Sequence, residues 1–167
     1  RLAALANNKD IEKIYANKKY SMLLEDTLPL FNPGSFHQRG FTGKGVKIAV
    51  LDTGMRSELG VALEKYFMGN DASDHNGHGT HIGGIIKAVA ADAELYNGKV
   101  LDDFGDGSTA SIVEGIYWAI DPDGNPATPD GAEIISLSLG APFSEPDELI
   151  EEALQAAIDQ GLKVVIA

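Results

Sequence analysis

The amino-acid sequence predicts an α/β fold: a mainly parallel sheet with helices on both faces. Three observations carry that expectation. Apolar runs of strand length alternate with stretches whose apolar residues recur at helical spacing. The run 46–51 (Val-Lys-Ile-Ala-Val-Leu) is apolar apart from Lys47, as in a parallel strand covered on both faces. Hydrophobic residues make up 44% of the 167 and 19 glycines are spread among them, the composition of a globular chain with a sizeable core.

Taken in order, residues 1–20 mix a short helical pattern (Leu2, Leu5, Ile11, Ile14) with lysines. Residues 21–40, with Pro29, Pro33 and Gly34, read as an irregular arm, and residues 41–167 as one partial domain. Phe41-Thr-Gly-Lys-Gly45 turns into the strand 46–51, and 55–75 read as a loop with at most a short helix. A helix over 79–90 places Ile82, Ile85, Ile86 and Val89 on its apolar side, and a strand follows at 93–100. Residues 102–107 are a loop rich in glycine and acid. Ser108 caps a helix running to Ile120 that turns Ile112, Val113, Ile116 and Ala119 inward. After a Pro/Gly/Asp loop at 121–131 comes the strand 133–139. Ser144 or Asp147 caps a helix with Leu149, Ile150, Ala153, Leu154, Ala157 and Ile158 inward; Gly161 ends it, and 162–167 read as a strand cut off as it emerges. Such alternation makes βαβ units with right-handed crossovers.

The formal charge of −12 argues against sequence-independent nucleic-acid binding, which needs Lys and Arg on phosphates. No apolar run approaches the roughly 20 residues of a membrane span. The chain has no cysteine, which excludes disulfides and thiolate metal sites but leaves the redox compartment open. The opening Arg-Leu-Ala-Ala-Leu-Ala contains neither an initiator methionine nor a signal peptide, and both ends are read as cut boundaries.

Ligands of a parallel sheet collect at the carboxyl ends of its strands. Asp52, the loop 102–107 and Ser138-Leu139-Gly140 all fall there, and His78 falls at the start of a helix. A histidine held there can exchange protons near neutral pH, given a partner to hold its tautomer, and Asp52 is the candidate. Small neighbours, Gly77 and Gly79, let other backbone come close to the ring. Taken singly, Asp52 is equally a turn aspartate before Thr53-Gly54, and His78 a satisfied cap or core histidine.

Three blocks together, Val46-Lys-Ile-Ala-Val-Leu-Asp-Thr-Gly54, Asn76-Gly-His-Gly-Thr-His-Ile-Gly-Gly84 and Ala132-Glu-Ile-Ile-Ser-Leu-Ser-Leu-Gly140, resemble the subtilisin family (subtilases) of serine peptidases. So do Leu95-Tyr-Asn-Gly-Lys-Val-Leu101 and Gly115-Ile-Tyr-Trp-Ala-Ile120; the likeness covers about residues 40–167. It implies a subtilisin-like fold and a secreted or cell-surface endopeptidase acting on polypeptides. Asp52 and His78 would be two members of an Asp-His-Ser triad. Gly105, Asp106 and Gly107 would form one wall of the substrate cleft and Ser138, Leu139 and Gly140 the other, with the peptide pairing as an added strand. The tail 1–20 resembles the end of a propeptide that acts in cis, cleaved after Tyr20, before Ser21.

Two departures qualify the likeness. The family's nucleophile sits in a Gly-Thr-Ser block opening a later helix, and these residues contain no such block, so the fold is expected to be truncated before that helix and the piece inactive alone. Ser138 is read as the only serine near the cleft, and the likeness assigns it to a wall. The calcium loop that many relatives carry in the helix after the His block is expected to be missing, since residues 85–95 run straight through. No cofactor is expected to be required. Asp121, Asp123, Asn125 and Asp130 put oxygen ligands at relative positions 1, 3, 5 and 10, a spacing that resembles a structural calcium loop but lacks the glycine at 6 and glutamate at 12 of an EF-hand.

Other classes fit less well. A non-catalytic subtilase-like binding module would explain the missing serine but not an unclosed sheet. A metal hydrolase using Asp74, His75, His78 and His81 suffers from ligands that drift around a helix. A nucleotide-binding domain is disfavoured because Gly43-Lys-Gly45 precedes its strand instead of following it.

Overall fold

A computed structural model describes residues 32–140 and 147–167. The readings of 1–20 as a propeptide-like tail, of 21–31 as part of an arm, of cleavage after Tyr20 and of Ser144 as a cap fall outside the described residues. The elements run α1 Pro33–Gln38, β1 Lys47–Asp52, a 3-10 turn Ser57–Leu59, β2 Val61–Tyr66, α2 His78–Val89, β3 Glu94–Lys99, α3 Thr109–Ile120, β4 Ile134–Leu137, α4 Glu148–Asp159 and β5 Lys163–Ile166. The five strands form one sheet in the order β2-β3-β1-β4-β5, and every pairing is parallel.

The central strand is β1, and its apolar run is explained by cover on both sides. Ile48 and Val50 pack with Ile82 and Ile86 of α2; Ala49 and Leu51 pack with Ile112 and Ile116 of α3 and with Ala153 and Ala157 of α4. Helices therefore lie on both faces of a parallel sheet, as the alternation of patterns predicts. Close approach of α3 depends on two glycines: a Cβ on Gly98 would sit 2.5 Å from Leu51 Cδ2, and one on Gly115 2.5 Å from Val100 Cγ1.

Caps set the helix ends. Ser108 accepts from the amide of Ser111, whose hydroxyl accepts in return from the Ser108 amide, a reciprocal pair that starts α3. Asp147 accepts from the amides of Leu149 and Ile150 at the start of α4. At its end Gly161 adopts φ 91° while the Gly161 and Leu162 amides reach back to the carbonyls of Ile158 and Ala157.

Three expectations are corrected. Leu149 and Ile158, expected inward on α4, are 61% and 50% exposed; the helix buries Ala153 and Ala157, with Ile150 and Leu154 packed beside them. The loop assigned to 55–75 contains β2, which pairs with β3 alone. As an edge strand it is largely exposed, so Val61-Ala-Leu-Glu-Lys-Tyr66 lacks the apolar alternation that would have revealed it. The arm 21–40 is not irregular throughout, because Pro33–Gln38 is a helix with proline in its first turn, where the missing amide costs nothing. His37 Nε2 lies 2.7 Å from the Val89 carbonyl, tying α1 to the end of α2.

Candidate active site

Asp52 ends β1 and is 1% exposed. Its Oδ1 accepts from the Thr53 amide at 2.7 Å. His78 is the first residue of α2, and its Nδ1 lies 2.8 Å from Asp52 Oδ1 and 3.0 Å from Oδ2. An ionised carboxylate can only accept, so Nδ1 carries the proton and donates it. That tautomer leaves the Nε2 lone pair on a ring whose side chain is 44% exposed. Gly79 permits the approach: a Cβ there would collide with the Gly54 carbonyl and sit 3.1 Å from Asp52 Oδ1. Gly77 serves differently, since nothing lies near its missing Cβ and its role is the φ of 105° at the helix N-cap.

A glycine N-cap has no side chain with which to satisfy the first amides of α2. Asp74, 5% exposed, does so instead. Oδ1 accepts from the amides of Asn76 (3.0 Å) and Gly77 (2.7 Å) and from Thr53 Oγ1 (3.0 Å). Oδ2 accepts from the amide (2.8 Å) and hydroxyl (2.5 Å) of Thr80. Thr53 Oγ1 in turn accepts from the Gly79 amide at 3.0 Å. Burial pushes the Asp74 pKa up, but the hydrogen bonds from Thr80, Gly77 and Thr53 outweigh it and hold the carboxyl below its ordinary value. Asp74 is filled, His75 lies 3.6 Å from Asp71 and His78 is on Asp52; among the described residues Asp74, His75, His78 and His81 do not gather three ligand atoms within 4.8 Å of one another.

Lys99, opposite Asp52 on β3 and 1% exposed, is a third buried charge among the described residues. Its ammonium donates to the carbonyls of Thr53 (2.8 Å) and Ser73 (3.0 Å) and to Asp103 Oδ1 (2.7 Å). Sequence reasoning passed over Asp74 and Lys99 in these roles. The signals available were an aspartate three residues before a glycine N-cap and a lysine closing an apolar strand.

A cleft of about 790 Å³ is lined by His78, by Gly105, Asp106 and Gly107, and by Ser138, Leu139 and Gly140. All six residues expected as walls thus border one cavity with His78. The 102–107 loop is held shut by its own hydrogen bonds. Asp102 Oδ1 accepts from the amides of Phe104 (2.8 Å) and Asp106 (3.0 Å), and these bonds lower the Asp102 pKa. Asn76 Nδ2 donates to the Asp103 carbonyl at 3.1 Å, joining this wall to the His78 loop. Thr109 Oγ1 donates to Asp147 Oδ2 at 2.6 Å, joining the starts of α3 and α4 beside the same cleft. One expectation changes, because Ser108 also lines the cleft, so Ser138 is not the only serine there. Ser108 is engaged as the α3 cap, and among the described residues no hydroxyl hydrogen-bonds to His78.

The loop after α3 gathers Asp121, Asp123 and Asp130 so that one carboxylate oxygen of each lies within 4.8 Å of the others. Asp130 Oδ1 is buried and has no hydrogen-bond donor. Asn125 is turned into the loop, its Oδ1 accepting from the Ala127 amide (3.2 Å) and its Nδ2 donating to Thr128 (3.0 Å). Lys47, at the start of β1, donates to the Pro129 carbonyl at 2.9 Å. The loop therefore sits at the opposite end of β1 from Asp52, about 16 Å away at about 3.3 Å per residue. Helix α2 runs unbroken from His78 to Val89.

Comparison with known proteins places these features in a family context. The model of the peptidase S8 family, described as "Subtilase family", matches residues 43–167. "Subtilisin Savinase" of Lederbergia lenta is 42% identical over 144 residues, covering 78% of this chain and 50% of that protein. "Thermostable alkaline protease" of Halalkalibacterium halodurans is 37% identical over 172 residues, covering 95% of this chain and 45% of that protein. "Minor extracellular protease Vpr" of Bacillus subtilis is 30% identical over 183 residues, covering 95% and 22%. The chain spans between about a third and a half of the length of the curated relatives it matches first, 35% to 50%. No described helix is long and apolar enough to cross a membrane.

Proposed function

The chain belongs to the subtilase family, and from that premise we propose that it is the Asp- and His-bearing part of a serine endopeptidase. The observation that carries the reading is the 2.8 Å contact of His78 Nδ1 with Asp52 on a cleft of peptide-binding size. His78 Nε2 takes the proton of a serine hydroxyl supplied from outside these 167 residues as the oxygen attacks the peptide carbonyl. The imidazolium returns that proton to the departing amine, and the same ring then activates the water that releases the acyl group. Asp52 stays ionised and holds the ring in the productive tautomer. Without the serine, these residues alone do not turn over.

The substrate is an extended polypeptide, paired between Gly105, Asp106 and Gly107 on one side and Ser138, Leu139 and Gly140 on the other. Secretion or display at the cell surface accords with the name of the extracellular Bacillus relative. The tail 1–20 acts in cis as the end of a propeptide, and active enzyme is expected to begin between Tyr20 and Leu30 by intact mass. Retention of residues 1–20 in active enzyme refutes that point. Asp121, Asp123 and Asp130 are suited to a calcium ion, because a buried, undonated Asp130 oxygen requires a cation or a donor. At the far end of the sheet such an ion stabilises the loop and takes no part in the reaction.

The deciding experiment is hydrolysis of an unstructured protein by the full-length enzyme, its His78→Ala variant and its Asp52→Ala variant. General acid–base catalysis contributes about 10²–10⁴-fold, so both variants are expected to lose at least about 10²-fold in kcat/KM. Hydrolysis by His78→Ala at the wild-type rate overturns the assignment.

A further inference from the structure

We infer that Asp74 is the positioning residue that sets the Asp52–His78 geometry from behind the pair; the inference rests on the peptidase reading above. One carboxylate reaches both partners. Through the amides of Gly77 and Thr80 it fixes the first turn of α2, where His78 is the leading residue. Through Thr53 Oγ1 it holds the residue whose amide donates to Asp52 Oδ1. Thr53 Oγ1 closes the circuit by accepting from the Gly79 amide, one residue past His78. Thr53 spans the arrangement with it, its amide on Asp52 Oδ1 and its hydroxyl between Asp74 and the Gly79 amide.

The position is also electrostatically apt. A buried anion at the start of a helix faces unpaired amides and the positive end of the helix dipole. Five donors make it a rigid joint, and rigidity here transmits to the imidazole because His78 has no helical residue before it. Alanine at position 74 would free the amides of Asn76 and Gly77 to seek water, and the turn carrying the ring would relax.

The effect is separable from stability. Full-length protein is compared as wild type, Asp74→Ala, Asp74→Asn and Thr80→Val, each normalised to active sites counted with a serine-reactive phosphonate. Misplacement of a catalytic group by about 1 Å can cost about 10²-fold, so Asp74→Ala is expected to lose about 10- to 100-fold in kcat per site with KM within about threefold. The acid-limb pKa of kcat/KM, which reports the free imidazole, is expected to move. Asp74→Asn keeps one acceptor and Thr80→Val removes one donor, so both should fall between wild type and Asp74→Ala. A residue that only aids folding would lower the count of active sites and leave kcat per site and the pH profile alone. If Asp74→Ala does not fold, the other two variants decide. Wild-type kcat per site and an unmoved acid limb in both Asp74→Asn and Thr80→Val overturn the inference. That result beside an inactive His78→Ala fails this inference alone, whereas an active His78→Ala fails the peptidase reading itself.

Discussion

Two glycines in one helix should respond in opposite ways to the same methyl group. In Gly79→Ala the new Cβ collides with the Gly54 carbonyl and meets Asp52 Oδ1 at 3.1 Å and Asp52 Cβ at 3.2 Å. The obstacle is backbone, so no rotamer change relieves it, and the turn after β1 must part from the start of α2 by on the order of 1 Å. Overpacking of this kind costs about 1–3 kcal/mol. A displacement of that size between Asp52 and His78 can cost about 10²-fold in rate. In Gly84→Ala, five residues on, the Cβ meets nothing within 4 Å. Alanine there gains helix propensity, about 0.5–1 kcal/mol. That corresponds to a rise of about 1–4 °C in Tm for a domain of about 150–250 residues. The assay is calorimetric Tm with kcat and KM per titrated site on the full-length protein. Gly79→Ala retaining kcat within threefold of wild type, or Gly84→Ala proving as damaging as Gly79→Ala, would refute the close-approach reasoning.

Three further outcomes are expected. Lys99→Met leaves the buried Thr53 carbonyl without its donor, at about 1–3 kcal/mol. Asp103 is half exposed and its share is screened. Tm should therefore fall by about 2–12 °C; a rise in the melting scan would mean that desolvating the ammonium outweighs its hydrogen bonds. Acid should destabilise the fold through Asp74, whose folded pKa is lowered. Its contribution is complete above the unfolded value of about 3.9 and is lost as pH falls through the folded value. Tm should hold from pH 7 to about 5 and drop below about 4, and Asp74→Asn should flatten that drop; identical acid limbs in both proteins would remove Asp74 from the explanation. Millimolar calcium should raise Tm of the wild type but not of an Asp121→Ala, Asp123→Ala double variant; equal response of the two, or none in the wild type, excludes the loop as a site.

Local signals made much of the fold legible. Ser108, Asp147 and Gly161 mark helix ends through bonds that span only a few residues, so they can be read along the chain. The apolar run of β1 announces cover on two faces because strand side chains alternate with period two. The strand β2 escaped because it needs only one neighbour and lies exposed, and Val61-Ala-Leu-Glu-Lys-Tyr66 therefore satisfies no periodicity.

The sequence by itself determined the class of fold and marked out Asp52, His78 and the two segments that border the cleft, because each lies in a short contiguous block. What only the tertiary structure decided is how those pieces are held. Asp74 collects donors from Thr53, Asn76, Gly77 and Thr80, and Lys99 joins carbonyls of Thr53 and Ser73 to Asp103. A buried charge declares its purpose through the partners that neutralise its desolvation, and those partners become neighbours only when strand ends and loops far apart in the chain meet at one edge of the sheet.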